Sequence, residues 1–233
     1  MRAAEVAFEA GADGLFLINQ GTSTSHILSH LIPRIRGVFG TNTWIGINSL
    51  GSAVEDVVAM SGTELHRLDG IWSDDAGVDS MREDTFEAAR TAFSNARMRT
   101  DWRGLYFGGT AFKTQAPIPE NKLELVARRA ASFVDVVTTS GRGTGISADL
   151  DRVRIMREAI PGAAMGIASG ITPENAAHYL PFIDYFLVAT GIEQSFGVLD
   201  PMRTRALAEI IHGSKDQARR APEPANHGAA ATG

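Results

Sequence analysis

The stretch Phe133-Val-Asp-Val-Val-Thr-Thr-Ser-Gly-Arg-Gly-Thr-Gly145 decides the fold of this chain of 233 residues. It is an apolar run closed by a glycine-rich loop, and a helical pattern follows from about Asp149. Met165-Gly-Ile-Ala-Ser-Gly-Ile-Thr-Pro-Glu174 repeats the arrangement with a shorter loop, and Asp184-Tyr-Phe-Leu-Val-Ala-Thr-Gly191 supplies one more run. Short apolar runs of this kind are typical of parallel strands that are buried on both faces.

Four similar runs come earlier, which makes seven candidate strands in total. The four runs are residues 15–19, 44–48, 70–74 and 105–109. Helical patterns lie between the runs, and regular alternation of buried strands with helices predicts a parallel sheet with right-handed crossovers. We therefore predict an α/β fold of the (βα)8 TIM-barrel type, with a doubly wound open sheet as the competing architecture.

A helix is expected to come first, because the apolar residues of 3–10 share one helical face and Gly11 follows as a cap. Seven strands preceded by a helix indicate a barrel whose first strand is not in this sequence. Such a barrel has two unpaired edges, which native proteins usually cover. Either the true start lies upstream of Met1, or another segment, or a second subunit of a homo-oligomer, fills the gap.

The predicted barrel domain covers residues 1–213, because no linker-like change of composition interrupts them. Residues 214–233 are rich in small, polar and proline residues, and we expect a disordered C-terminal tail there. The last two helices are expected at 173–180 and 201–212. Thr172 is the expected N-cap of the first of them.

Composition excludes several classes of protein. Apolar residues make up 44% of the chain and charged residues 21%, so a sizeable core is available. The net charge of -5 argues against nucleic acid as a partner, and the absence of cysteine excludes disulfides and a cysteine nucleophile. No apolar run approaches the roughly 18 residues of a membrane span, and no signal peptide is recognisable, so we expect a cytoplasmic protein.

Small residues follow the last two strands, and they are our first candidates for binding phosphate. In β/α barrels the ligand site is built by the loops after the strands, and phosphate commonly binds after strands seven and eight. With the absent strand counted first, the candidates are Ser169, Gly170, Thr190 and Gly191. Glycine exposes backbone N–H groups, which favour an anion. The alternative is that these residues are ordinary turns and caps.

The loop 141–145 is longer than a turn requires and is the second candidate for binding phosphate. Its glycines and threonine could wrap a ligand, and Arg142 could give a fork of donors to phosphate or carboxylate. The phosphate candidates in this loop are Gly141, Gly143, Thr144 and Gly145. The loop is not a Walker motif, because no Gly-Lys-Ser/Thr ends it. An exposed linker with a solvated arginine is the alternative.

Polar side chains end the first three runs, on the face where the site is expected. Asp74 is the candidate catalytic base, or it could bind Mg²⁺ together with substrate oxygens. Its neighbour Asp75, with Asn19 and Asn48, would bind substrate. These residue types are also good turn and capping residues, so each could instead satisfy backbone groups of its loop.

Lys113 lies in the loop after the fourth run and is the second catalytic candidate. A lysine there could neutralise phosphate or stabilise an enolate. A Schiff base is less favoured, because such lysines usually lie on the strand itself. An exposed loop lysine is the alternative.

His26 and His30 are spaced four residues apart and could share a helical face. No glutamate stands between them in a zincin pattern, and no third ligand is near in sequence. The sequence therefore favours ordinary helix residues, and we predict no metal site.

The C-terminal half resembles a known family. Val136-Val-Thr-Thr-Ser-Gly-Arg-Gly-Thr-Gly145, Ala168-Ser-Gly-Ile-Thr-Pro-Glu-Asn175 and the final Val-Ala-Thr-Gly191 are similar to the BtpA/SgcQ family of β/α barrels. The resemblance covers about residues 1–212. It implies a barrel of the ribulose-phosphate-binding kind with its site at the C-terminal mouth. Because the family is named for a factor in photosystem I biogenesis, it also implies a non-catalytic assembly factor as an alternative.

A second resemblance concerns Val134-Asp-Val-Val-Thr-Thr-Ser-Gly141, which is similar to the phosphoribosyl-pyrophosphate loop of type I phosphoribosyltransferases. That loop has two adjacent acidic residues, whereas here only Asp135 is acidic. A transferase is therefore the second alternative. The favoured interpretation is an enzyme that binds a sugar phosphate or phosphoribosyl compound. It would act as an isomerase or lyase by acid-base chemistry, with Asp74 as base and Lys113 stabilising negative charge.

Overall fold

The computed structural model describes residues 1–60, 68–78 and 83–220, and in them helices alternate with seven parallel strands. The strands of this sheet are β1 (Gly14–Ile18), β2 (Trp44–Asn48), β3 (Gly70–Ser73), β4 (Leu105–Gly109), β5 (Val136–Ser140), β6 (Ala164–Ala168) and β7 (Tyr185–Leu187). A separate antiparallel pair follows, β8 (Glu193–Ser195) and β9 (Val198–Leu199). The α-helices are α1 (Arg2–Glu9), α2 (Thr24–His26), α3 (Ile32–Phe39), α4 (Val54–Met60), α5 (Glu83–Thr100), α6 (Leu123–Ala131), α7 (Leu150–Ala159), α8 (Ala176–Tyr179) and α9 (Pro201–Arg220). Each predicted apolar run forms a strand.

The strands pair in the order of the sequence, from β1 to β7, and every pair is parallel. The result is a nearly closed β/α barrel of the TIM type, which confirms the predicted fold. The doubly wound alternative was wrong, because that fold requires the strand order to reverse at one point. Among the described residues, the outer edges of β1 and β7 pair with no other strand.

Aromatic side chains fill the barrel interior. The Phe16 ring lies 5.1 Å from that of Trp44 and 5.0 Å from that of Phe107, which lies 5.3 Å from Tyr185. Because β1, β4 and β7 are not neighbours in the sheet, these contacts must cross the interior. A side chain at Gly46 would collide with the Phe16 ring, so glycine makes the room that the aromatic ring occupies. The interior is therefore a packed core and not a channel.

The side chains on the other face of the strands pack beneath the helices. Several of them are at most 1% exposed, namely Ile45, Ile47, Ile71, Val137, Met165 and Ile167. Burying each such side chain stabilises the fold by about 1.5–3 kcal/mol before the entropic cost of ordering it. Both faces of the strands are thus buried, which explains why their sequences are continuous apolar runs.

A contact that we call the carboxylate clasp occurs three times at the amino ends of the strands. An aspartate immediately before a strand accepts a hydrogen bond, 2.8–2.9 Å long, from the second backbone N–H of the preceding strand. The same carboxylate also pairs with an arginine, which lies on the helix that comes before the N–H-donating strand. The clasps, with amide and arginine partners in brackets, are Asp69 (Ile45, Arg36), Asp135 (Tyr106, Arg97) and Asp184 (Met165, Arg157). Each clasp joins one helix to two strands.

A fourth aspartate stands in the equivalent place before β1. Asp13 is 3.1 Å from Nε2 of His212 on α9, but its carboxylate accepts no backbone N–H among the described residues. Arg205 of α9 also donates to the carbonyl of Glu9 on α1. Helices α1 and α9 therefore meet outside the open edge of the barrel, where half a clasp is formed.

The helical segment between β1 and β2 is broken into three parts. A π-helical turn, Ile27–Leu31, separates α2 from α3. Pro33, in the first turn of α3, has no N–H to donate, and its ring would clash with the carbonyl four residues earlier in a regular helix. The wider π turn just before it avoids that clash, so Pro33 explains the break.

Two predictions near the C-terminal end were wrong. The helix expected over 173–180 is confined to α8, and Thr172 is not its cap, because Asn175 Oδ1 accepts a bond from the Thr172 N–H and closes a turn around Pro173. Helix α9 continues to Arg220, so residues 214–220 are helical and not a disordered tail. Residues 215–220 include alanine, lysine, glutamine and arginine, which have high helix propensity. The first proline after them is Pro222, so no proline interrupts the helix before Arg220. Residues 221–233 lie outside the described part.

Candidate ligand site at the barrel mouth

The carboxyl ends of the seven strands form one rim, and hydrogen bonds connect the loops around it from β1 to β7. We call this ring of loops the mouth rim. It contains all the residues predicted to form the site, which are Asn19, Asn48, Asp74, Asp75, Lys113, residues 141–145, Ser169, Gly170, Thr190 and Gly191. The contacts of each residue indicate what it can do chemically.

Asn19 joins the loops that follow β1 and β2. Its Oδ1 accepts a hydrogen bond of 2.8 Å from the Leu50 N–H, and its Nδ2 donates to the Leu50 carbonyl at 3.2 Å. Thr24 Oγ1 lies 3.4 Å from the same Nδ2. Both ends of the amide are thus used to hold the loops together.

Asn48 and Asp74 form a polar pair at the ends of β2 and β3. Asn48 is only 3% exposed, and its Nδ2 donates to Asp74 Oδ1 at 2.9 Å. The register places Asn48 opposite Trp72, and Asp74 follows two residues later, so both side chains face the mouth. Oδ2 of Asp74 accepts no bond within the described residues. The pair therefore presents an oriented carboxylate with one oxygen available.

Asp75 is occupied by contacts within the rim. Its Oδ1 accepts bonds of 2.7 Å from the Gly77 N–H and from Nε2 of Gln115. Thr114 Oγ1 also donates to the Asp74 carbonyl at 3.3 Å. These bonds fasten the loop after β3 to the loop after β4. Gln115 was not predicted, because it lies 40 residues from its partner in sequence.

Lys113 connects the loop after β4 to the glycine-rich loop after β5. Its backbone N–H donates to the buried Ser140 Oγ at 2.9 Å, which fixes where the side chain starts. Its Nζ donates to Thr144 Oγ1 at 3.2 Å and lies 5.8 Å from the Phe112 ring centroid. A cation is thereby held beside the predicted phosphate loop.

The loops after β5, β6 and β7 converge. The Gly145 N–H donates to Ser169 Oγ at 3.0 Å, and a methyl group added to Gly145 would lie 3.8 Å from Thr190 Cγ2. A side chain at Gly191 would collide with the carbonyl oxygen of Ile171. The predicted phosphate residues, which are up to 50 positions apart in sequence, are thus brought together.

Ser169 and Gly170 turn the loop after β6 in an uncommon way. Their φ angles are 76° and 74°, and a non-glycine residue there costs about 1–3 kcal/mol. The bond from Gly145 to Ser169 Oγ offsets part of that cost. Among the described residues the N–H groups of Gly170 and Gly191 donate to no acceptor. Gly170 is buried and Gly191 is partly exposed, so two backbone donors without an acceptor lie near the point where the three loops meet.

The other residues of the 141–145 loop have different roles. A side chain at Gly141 would collide with the Ile146 carbonyl oxygen, so glycine is needed there for packing. The Gly143 carbonyl accepts a bond from the Ile146 N–H. Arg142 is exposed, and its guanidinium meets no acceptor within the described part of the chain. Arg142 is therefore free to reach a ligand.

Arg203 of α9 contacts two loops of the mouth rim. This role was not predicted from the sequence. It donates from both terminal nitrogens to the Glu174 carboxylate at 2.9 Å, and from Nε to the Gly191 carbonyl at 3.1 Å. These bonds lower the pKa of Glu174 to about 2 and raise that of Arg203. Arg203 thus fixes the Gly191 peptide and joins the last two loops.

Cavities elsewhere on the molecule do not coincide with this site. One of about 490 Å³ is lined by residues of the 51–60 segment, and one of about 560 Å³ lies between α5 and the end of α6. The first cavity borders the loop after β2, and neither cavity is lined by a residue that was predicted to form the site.

The fold and the rim define a β/α-barrel protein of the TIM type. The chain is similar to phosphoribosyl anthranilate isomerase from Thermus thermophilus, with a TM-score of 0.61, 17% identity and coverage of 91% and 93% of the two chains. For the enzyme from Thermotoga maritima the TM-score is 0.63 and the identity 14%, with the same coverage. No family model and no curated protein matches the sequence. No described helix has the length and apolarity needed to cross a bilayer.

Proposed function

We propose that the protein is an enzyme that binds a small phosphorylated ligand at the mouth rim. The observation that carries the proposal is the meeting of three loops at Gly145, Ser169 and Thr190, near the N–H groups of Gly170 and Gly191, which have no acceptor among the described residues. Backbone donors in glycine turns are a common way to hold phosphate, because no side chain blocks the anion. The ligand would be a sugar phosphate or a phosphoribosyl compound.

Similarity of fold supports this choice of ligand. One neighbour, with a TM-score of 0.61 and 13% identity, is phosphoribosyl anthranilate isomerase in complex with reduced 1-(o-carboxyphenylamino)-1-deoxyribulose 5-phosphate. That ligand is a phosphorylated sugar derivative. The resemblance of residues 133–191 to BtpA/SgcQ barrels fits the same proposal, which does not depend on that family.

Asp74 is the proposed general base. Asn48 holds one of its carboxylate oxygens at 2.9 Å, so the other oxygen is directed and able to take a proton. Lys113, beside Thr144, would stabilise the negative charge that develops on substrate. Isomerases and lyases of sugar phosphates need this combination of a base and a stabilised oxyanion. Oδ1 of Asp75 already accepts hydrogen bonds from Gly77 and Gln115, which makes Asp75 a poor second ligand for Mg²⁺ beside Asp74. We therefore assign no step to Mg²⁺.

The geometry bears on the two alternatives. Asn48 is buried and orients the partly exposed carboxylate of Asp74 at the mouth, an arrangement that suits a catalytic base and supports an enzyme over an assembly factor. Asp135, the only acid of the proposed transferase loop, forms a clasp with Arg97 at the amino end of β5. That is the far end of the strand from the mouth, so we do not propose phosphoribosyl transfer.

A ligand screen tests the proposal directly. We expect ribose 5-phosphate, other sugar phosphates or inorganic phosphate to raise the thermal melting temperature, whereas the unphosphorylated sugars should not. Ser169→Ala should weaken the effect, because it removes the acceptor that positions Gly145. Asp74→Asn should leave binding intact and abolish turnover of any ligand that is converted.

The outcomes separate the candidates. Protection by phosphorylated ligands in both the parent protein and Asp74→Asn, without turnover in either, would favour the assembly factor. No protection by any phosphorylated compound would refute the proposed site. Protection by phosphoribosyl pyrophosphate that requires Mg²⁺ would restore the transferase.

A further inference from the structure

Two histidines outside the proposed site are stacked on each other. The imidazole rings of His26 and His30 have centroids 4.7 Å apart and planes that differ by 15°. Both side chains are exposed. Exposed rings gain little from stacking alone, so a physical cause must be sought in the backbone.

The backbone between the two rings is the π turn Ile27–Leu31. Residues four positions apart are neighbours on the surface of a helix. His26 and His30 remain neighbours across the π turn, which lies just before Pro33.

Ser29 decides which nitrogen of His30 is available. Its hydroxyl is 2.7 Å from the Ser25 carbonyl, which can only accept, so the single Ser29 proton is used there. Ser29 Oγ must then accept at its other contact, 2.7 Å from His30 Nδ1. Nδ1 consequently carries the ring proton, and Nε2 has a free lone pair.

This arrangement is the one that metal-binding histidines use. Such residues donate one ring N–H to an oxygen, which fixes the tautomer and directs the other nitrogen to the ion. The ring nitrogens of His26 meet no partner within the described residues, so this ring can offer a second lone pair. The lone pairs of two stacked rings are nearly parallel, so both rings must rotate about their side-chain bonds before one ion can lie about 2.0–2.1 Å from each nitrogen.

We propose that His26 and His30 bind a divalent first-row transition metal ion, with Ser29 as the positioning residue. The described residues hold no group of three or more ligand side chains, so water or a small ligand would complete the coordination. The site lies close to the mouth rim, because Thr24 of the same helix is 2.6 Å from Ser49 after β2. It is independent of the proposed phosphate site.

Isothermal titration of the untagged full chain with Cu²⁺, Ni²⁺ and Zn²⁺ tests the proposal. We expect one ion per chain and tightest binding of Cu²⁺, as the general order of affinities requires. His26→Ala and His30→Ala should each weaken binding at least tenfold. Ser29→Ala should weaken it about tenfold, in line with other losses of an orienting partner.

Controls keep the test interpretable. All three substituted residues are exposed, so the fold should survive, which circular dichroism would verify. His178→Ala and His227→Ala should bind as the parent chain does. Unchanged binding in both His26→Ala and His30→Ala, or no binding of any of the three ions, would overturn the site. In a Zn²⁺ titration followed by NMR, movement of one imidazole without the other would also refute the chelate.

Discussion

At the scale of single residues, the loops of the mouth rim approach each other so closely that side-chain volume matters. Gly191 is the clearest case, because its α-carbon faces the Ile171 carbonyl oxygen with no room for a methyl group. Its own carbonyl is held by Arg203, so the peptide cannot simply turn away. A glycine that looks like an ordinary turn residue in the sequence is therefore fixed from two sides.

We predict that Gly191→Ala destabilises the protein by about 1–3 kcal/mol, as overpacking usually does. It should also weaken binding of phosphorylated ligands, because the loop must move. Urea denaturation measures the first effect and the thermal-shift screen the second. Gly162→Ala is the matched control, since nothing lies within 4 Å of its added methyl group, and it should change stability by less than about 0.5 kcal/mol. Equal stability of the two variants would contradict the prediction.

At the scale of helices and strands, the carboxylate clasps explain how each helix is joined to two strands. The pair Asp135–Arg97 is mostly shielded from water, since the side chains are 28% and 30% exposed. The Asp13 side chain is 78% exposed, and among the described residues its one partner is His212. The same residue type in the same position therefore has two different environments.

Asp135→Ala should cost about 2–3 kcal/mol, because it leaves a largely buried arginine and a backbone N–H without their acceptor. Asp13→Ala should cost no more than about 0.5 kcal/mol, as exposed pairs contribute little. Denaturant melts of the two variants, compared with the parent chain, measure the difference. A similar cost for both would show that the clasps do not depend on burial.

The ion pair between α9 and the loop before α8 should make stability depend on pH. Arg203 lowers the pKa of Glu174 from 4.5 to about 2, so the folded state favours the charged form. Its contribution is complete above about pH 4.5 and is lost as the pH falls toward 2. Stability measured between pH 5 and pH 2.5 should fall less steeply in Glu174→Gln than in the parent. Parallel curves would show that the pair contributes nothing.

For the whole molecule, the open side of the barrel should be its least protected part. All five residues of β5 are buried, whereas Ile18 at the end of β1 and Tyr185 at the start of β7 are 41% and 38% exposed. The amides of β1 and β7 should therefore exchange hydrogen faster than those of β4 and β5. Mass spectrometry of the full chain after exchange measures this. Uniform protection of the seven strands would contradict it.

Much of this architecture could be predicted from sequence because it is local. Continuous runs such as 136–140 are typical of strands buried on both faces, and a parallel sheet brings the ends of such strands to one rim. The pairs that shape the rim could not be predicted, because Glu174 and Arg203 are 29 residues apart, and Asp75 and Gln115 are 40 apart. A single sequence does not say which polar residues will meet across such distances.

The predicted start of the disordered tail at residue 214 was wrong for a related reason. Composition changes after His212, but a helix that is already packed can continue through residues of moderate propensity. The stacking of His26 and His30 could not be predicted, because it occurs across a π turn, which has no clear sequence signal.

The half-formed clasp between Asp13 and His212 has a consequence for how the gap in the wall can be closed. At the other three places, one carboxylate accepts the second amide of the neighbouring strand and no other amide. Any segment that slides in beside β1 would meet the same constraint at Asp13. A slip of one residue would miss the carboxylate and turn the segment's apolar side chains to the wrong face. The position of Asp13 therefore favours one alignment for any strand that pairs with the outer edge of β1.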